Sequence, residues 1–209
     1  MSKGLIISVM LFFVFFISCK SSIDNEKELL KWLSKTSNGF VKNSKTNGFV
    51  LSMKYLPPEY LALNEYKKDA GNGDKTVNDY LELFNKSRTF LLTITHDDEN
   101  VDASKYGVTN MSDYSQRIKD LSFNIKESLV LKTDSGEKYN PVLTTMENLY
   151  EIGNKKSIYI VFSDDYKNVL KSEKLDIVFQ DTFLDTGITH FVFKRNKIDN
   201  LPHLNFLNQ

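Results

Sequence analysis

Apolar and polar positions alternate most cleanly over residues 48–56, where Phe49, Leu51, Met53 and Tyr55 fall on one side and Val50, Ser52 and Lys54 on the other. A period of two predicts a strand with one face buried. Pro57-Pro58 stops that strand because proline cannot donate to a ladder, and Pro58 suits the first turn of a helix over 58–68. Residues 88–95 repeat the strand pattern with Phe90, Leu92 and Ile94 inward. The longest alternation runs over 122–132, with Phe123, Ile125, Leu129 and Leu131 on one side and Glu127 as the exception. It predicts a strand that enters a hairpin turn at Thr133-Asp134-Ser135-Gly136-Glu137, where glycine supplies positive φ. Tyr139 to Leu149 then returns as a weaker strand whose Pro141 suits a sheet edge. Residues 157–163 are apolar on both faces, as in a central strand, and 174–180 and 188–195 alternate again around a turn at Asp185-Thr186-Gly187. From residue 157 onward the reading is a β-meander.

Helical spacing is confined to short stretches. Over 24–36, Leu29, Leu30, Trp32 and Leu33 share one face, with Asp24 as the expected cap and Asn38-Gly39 as the stop. Trp32 reads as core packing. Residues 76–86 begin with Thr76 and Asp79 in capping positions, and 112–120 and 164–173 read as a short helix and as a helix or turn. Residues 20–25 read as a polar tether, 71–74 as a loop, and 196–209 as a polar tail. No internal repeat interrupts the order. These elements predict a mainly β chain with short helices: an antiparallel β-sandwich with helical insertions, whose second half resembles Ig-like or transthyretin-like sandwiches.

The start of the chain differs from all of this. Lys3 precedes an almost unbroken apolar run over 5–17, and Ser18 stands directly before Cys19, the one cysteine. The run is shorter than the ~20 residues of a membrane-spanning helix and has the shape of a secretory signal. The small residue followed by cysteine resembles a bacterial lipoprotein signal, and the Phe-rich run ending in Ser-Cys is similar to those of Bacteroidota. Phe16 and Ile17 depart from the usual lipobox, so the match rests on Ser18 and Cys19. The resemblance implies a signal peptide over 1–18, acylation of Cys19 through its sulfur, a tether over 19–25, and a single domain over 26–209. It also implies membrane attachment through acyl chains on Cys19 at the outer membrane. Residues 20–23, KSSI, lack the acidic cluster that would resemble a surface-export signal, so the expected orientation faces the periplasm.

Composition narrows the partners. Lys+Arg 27 balances Asp+Glu 27, so no electrostatic pull toward nucleic acid is expected. With Cys19 assigned to the anchor no internal disulfide can form, and the 15 Phe and 10 Tyr must supply the core.

Candidate chemistry is sparse. GNGDKT fails as a phosphate loop because Asp74 separates Gly73 from Lys75 and no strand leads into it. His96, Asp97, Asp98 and Glu99 have metal-ligand types, but four adjacent residues on an extended turn cannot all face one ion, and a solvated turn is expected. The chain lacks G-x-S-x-G and H-E-x-x-H, and His96, His190 and His203 lie far apart. His190 sits on an alternating strand and reads as a sheet residue. The pair Asp164-Asp165 has the residue types of a glycosidase, which is the minority reading. No catalytic residue, metal ligand or cofactor is expected; the long loops 57–74 and 96–112 are where binding is expected.

Over roughly 88–195 the D-S-G hairpin followed by IYIVF and LDIVFQD is similar to small Ig-like domains of bacterial envelope lipoproteins. That resemblance implies a non-catalytic binding or assembly subunit with an envelope protein partner, for example in an envelope-spanning secretion or injection machine. The alternative is a surface ligand binder or a periplasmic inhibitor or immunity protein, and a small hydrolase ranks last.

Overall fold

The computed structural model describes residues 22–69, 74–147, 154–163, 169 and 171–205. Cys19, the whole signal region and Asp164-Asp165 lie outside the described residues, as do most of the predicted helix or turn over 164–173 and most of the loop over 71–74.

Among the described residues, two antiparallel sheets and one short parallel pair carry the strands. In the larger sheet β2 (Val41–Thr46), β3 (Phe49–Leu56), β4 (Ser87–His96), β8 (Lys156–Ser163) and β7 (Leu143–Met146) lie side by side in that order. The smaller sheet runs β10 (Ile188–Lys194), β9 (Lys174–Gln180), β5 (Leu129–Lys132), β6 (Lys138–Tyr139). Finally, β1 (Ser22–Ile23) pairs in parallel with β11 (His203–Leu204). Five helices are described: α1 (Glu26–Ser34), α2 (Pro58–Asp69), α3 (Val77–Phe84), α4 (Met111–Lys119) and α5 (Arg195–Ile198). The fold is mixed α/β with mostly antiparallel sheets that do not close into a barrel.

The predicted inward residues of β3 and β4 form the core together with apolar residues of β8. Phe49, Leu51, Met53, Phe90, Leu92, Ile158, Ile160 and Phe162 are buried, and Leu129, Leu131, Ile177, Phe179, Phe191 and Phe193 meet them from the smaller sheet. Phe90 and Phe193, one from each sheet, have ring centroids 5.1 Å apart. Trp32 packs edge-on against Phe40 at 4.9 Å, which is the core role expected of it.

Five expectations need correction. The 122–132 alternation is a strand only from Leu129 onward. Residues 120–128 instead continue α4 as helical turns, because Leu121 and Ile125, four positions apart, are the buried pair, while Phe123 is 68% exposed. The Asp120 carboxylate reinforces the turn by accepting from Gln116 and Asn124 at 3.0 and 2.7 Å. The strands after residue 157 are not a meander: β8 belongs to the larger sheet, and β9 pairs with β5 and β10. Tyr139 to Leu149 likewise splits into β6 and β7, which join different sheets across Asn140-Pro141. Order reaches further toward the N-terminus than the tether reading allows, since Ile23 is buried in the β1–β11 pair. Helix α1 is capped by Asn25, whose side chain accepts from the Glu28 N–H at 3.0 Å, and not by Asp24.

Strand β2 is absent from the sequence reading. It is joined to β3 through Asn47 and Gly48, both left-handed at φ 48 and 79, as a type I′ hairpin requires. A Cβ on Gly48 would lie 3.3 Å from His96 Nε2. Gly48→Ala is therefore expected to cost roughly 1–3 kcal/mol, read as a lower urea midpoint at unchanged slope. A midpoint equal to that of the parent would show that the turn can change type freely.

Candidate functional site

The Pro57-Pro58 break ends β3 and starts α2, and the chain returns along α3 to β4. Three contacts fix this helical pair. Thr76 and Asp79 form a reciprocal capping box at the start of α3, with Thr76 N–H donating to Asp79 at 2.7 Å and Asp79 N–H to Thr76 Oγ1 at 3.3 Å. The backbone N–H of Thr76 holds the Asp79 carboxyl below the usual carboxylate range, helped by the Thr76 hydroxyl. The Tyr80 hydroxyl donates to Asp69 of α2, a bond that pushes Tyr80 up to about 12. Lys67 of α2 pairs with Glu26 of α1.

Together these elements wall a cleft of about 400 Å³ at one end of the sheets, within the size range of small-ligand sites. One wall is a face of α3, where Asn78, Leu81 and Asn85 recur at helical spacing. Another wall is the C-terminal segment, with Ile198, Leu201, Pro202 and Leu204. Tyr55, Pro57, Arg88, Glu59 and Asp199 also line it, with the Asp199 carboxylate 4.0 Å from the Arg195 guanidinium. Arg88 shares a strand face with Phe90, so it stands where the apolar core meets the cleft, and its guanidinium donates to the Tyr55 hydroxyl at 3.1 Å. Both residues make further contacts. The C-terminal wall is held by α5, whose Arg195 donates from backbone N–H to Glu173 O at 2.8 Å and from Nε to Ser172 O at 2.5 Å. It is held again by the β1–β11 pair, where Asn205 donates to Asp24 at 2.5 Å.

Of the candidate chemical residues that lie among the described ones, only His203 reaches this cleft, and of the two loops where binding is expected, 57–74 contributes Pro57, Pro58 and Glu59. His96 ends β4, eight positions from Arg88 and roughly 26 Å away along the strand. Its ring stacks on Tyr106 at 5.0 Å and meets Phe49 edge-on at 5.3 Å, and its Nδ1 accepts from the Asp98 N–H at 3.0 Å. Asp97 pairs with Lys45 at 2.9 Å. Asp98 accepts from the Asn100 backbone at 2.9 Å, and that bond holds its carboxyl below the usual range. The HDDEN stretch is thus a turn stitched by its own side chains. His190 lies on the outward side of β10, its Nδ1 2.8 Å from Asp176 of β9.

The loop over 96–112 has one partly buried ion pair, with Lys156 Nζ 3.4 Å from Asp102. Burial raises the Asp102 carboxyl, but the Ser104 hydroxyl and N–H together with Lys156 outweigh it and hold the group below its usual range. Among the described residues no group of three or more His, Cys, Asp or Glu stands close enough to hold a metal ion. No helix among them is long and apolar enough to cross a membrane.

The cleft residues Asn78, Asn85, Arg88 and Asp199 are absent from the sequence reading. The available signal was the helical spacing of Asn78, Leu81 and Asn85 behind a capped start; nothing local ties that face to residues 198–204. Comparison of the chain with protein-family models, curated proteins and solved structures finds no match.

Proposed function

We propose that the protein is an envelope lipoprotein, acylated on Cys19 at the outer membrane and facing the periplasm, whose domain is a non-catalytic binding or assembly subunit. Its two antiparallel sheets, with a common core and the helical insertions α2–α3 and α4, support reading the domain as a sandwich of the Ig-like or transthyretin-like kind. The observation that carries the functional reading is the β1–β11 pair. Ser22 stands three positions after Cys19, a span of at most about 10 Å of extended chain. An acylated Cys19 would therefore hold the β11 wall of the cleft close to the bilayer. Three of the candidate chemical groups have structural partners: Asp97 pairs with Lys45, Asp98 stabilises a turn, and His190 bridges to Asp176. A binding role needs none of them as an acid or base.

The test is Cys19→Ala in the source cell. The variant is expected to take up no labelled palmitate and to leave the membrane fraction on carbonate extraction, because each buried acyl methylene contributes ~0.8 kcal/mol to attachment. Unchanged labelling and fractionation would overturn the reading.

A further inference from the structure

The register of the smaller sheet fixes which way its lysines point. Lys194 of β10 stands opposite Lys174 of β9, and Lys132 of β5 stands opposite Lys138 of β6. Lys132 also opposes Asp176, two positions along β9 from Lys174, so all four lysines share one face. It is the outer face, because the alternate residues Leu131, Leu175, Ile177 and Phe193 are buried in the core. The four occupy adjacent rows, about 7 Å apart along the strands and spread over roughly 15 Å across them. Like charges directly opposite each other destabilise a sheet, and here two such pairs adjoin. Among the described residues none of the four forms an ion pair. Asp176, the one carboxylate among the strand residues of this face, is bonded to His190. At the rim, Asp134 accepts from the N–H groups of Glu173 and Lys174 at 2.5 and 3.2 Å, and Glu137 accepts from the Tyr139 hydroxyl at 2.8 Å.

These rows lie at the end of the sheet that leads to the β1–β11 pair. Lys194 closes β10 and α5 follows it directly. Asp199 borders both the cleft, with its β11 wall, and a neighbouring hollow that holds Lys174 and Lys194. Ile188 and Val192, 63% and 40% exposed, add apolar surface to the same face. We propose that the domain rests on an anionic phospholipid leaflet through this face, with the paired lysines set over lipid phosphates. The charge pattern is argued from the sheet alone; the bilayer as its occupant rests on the anchored reading. Phosphates lying over each pair relieve its repulsion, and each lysine near an anionic leaflet strengthens the contact about fivefold.

The experiment reconstitutes the protein, purified from the source-cell envelope, into vesicles of phosphatidylcholine alone or mixed with phosphatidylglycerol. Acetylation by a water-soluble amine reagent is then read lysine by lysine in a mass spectrometer. Lys138, Lys174 and Lys194, all exposed in the free domain, are expected to lose reactivity several-fold in the phosphatidylglycerol vesicles. Lys45 and Lys68, exposed elsewhere, should react equally in both. Salt at ~1 M, where the screening length falls to about 3 Å, should restore reactivity. Equal reactivity of the three lysines in the two lipids, or protection that salt does not remove, would overturn the proposal.

A double variant, Lys138→Glu with Lys174→Glu, sets unlike charges opposite Lys132 and Lys194. Its melting temperature is expected not to fall, and the protection of Lys194 by phosphatidylglycerol should vanish; protection kept in the double variant overturns the proposal. Protection seen in whole envelope membranes but not in the vesicles overturns the lipid occupant and assigns the face to an envelope protein. Palmitate labelling is scored separately. A chain without acyl groups that floats with phosphatidylglycerol vesicles alone keeps the face and rejects the anchor. An acylated chain with equal reactivity in both lipids does the reverse.

Discussion

Phe90→Ala is expected to destabilise the protein by about 3–5 kcal/mol, the range for deleting a buried aromatic ring. Phe90 is fully buried at the centre of β4 and sits 5.4 Å from Tyr55, 6.1 Å from Phe162 and 5.1 Å from Phe193. The first two belong to strands that pair with β4, and the third belongs to the smaller sheet. The cavity left by alanine would be framed by residues whose backbones are fixed in ladders, so it cannot close by a simple side-chain shift. Urea unfolding should show a large fall in midpoint at unchanged slope. Leu83→Ala serves as the comparison, since Leu83 is 54% exposed on α3 and should change stability by less than about 0.5 kcal/mol. A Phe90 variant within about 1 kcal/mol of the parent would mean that the sheets repack, and that the core is less tightly defined than a loss of 3–5 kcal/mol requires.

Asp181→Ala is expected to cost about 2–4 kcal/mol, a large effect for a loop residue. The carboxylate of Asp181 organises the β9–β10 connection from within. It accepts from the N–H groups of Phe183 at 2.9 Å, Leu184 at 3.0 Å and Thr186 at 2.7 Å, and from the Thr186 hydroxyl at 2.8 Å. Leu184 and Thr186 are buried, so their donors cannot all recover water when the acceptor goes. A buried donor left without a partner costs about 1–3 kcal/mol. Asp181→Asn discriminates between charge and shape. Its amide would turn one acceptor into a donor facing the donors of Leu184 or Thr186, so it should recover less than half of the loss. Full recovery by asparagine would show that a single acceptor oxygen suffices, and that the multiple bonds are incidental. Thermal melts of both variants decide the matter.

The contrast between legible and illegible parts follows from what each residue faces. The strands at 48–56, 88–95, 174–180 and 188–195 were readable because burial of one side becomes alternation along the pleat, and 157–163 was readable as a continuous apolar run of a central strand. Strand β2 has no such mark. In VKNSKT only Val41 is buried, so the sheet edge looks like loop, and the one local cue was the Asn47-Gly48 dipeptide that the hairpin uses. The misreading at 122–132 came from residues that satisfy two periods at once. Ile125 belongs equally to the alternating set and to the four-residue step from Leu121, and the helix wins because Asp120 and its amide partners hold the turn. The switch of sheets at Asn140-Pro141 was out of reach, since proline announces an edge without saying of which sheet. The cleft was hidden for a related reason. Its walls come from β3–α2, α3, β4 and the C-terminal segment, and no short window of sequence ties residues 198–204 to the others.

The pairing of Ser22–Ile23 with His203–Leu204 has a consequence for the order of folding. Its side-chain bond from Asn205 to Asp24 spans 181 positions, so nearly the whole chain must be in place before this contact can form. Closing so long a loop carries a high entropic cost that the two-residue pair alone recovers poorly. The pair should therefore be among the last structures to form and the first to open, at a free energy well below that of global unfolding. Hydrogen exchange should show it as protection of the Ile23 and Leu204 amides that is lost earlier than that of β4 or β8. Any process that takes hold of the N-terminal end of the domain would then release the C-terminal wall of the cleft before it disturbed the core.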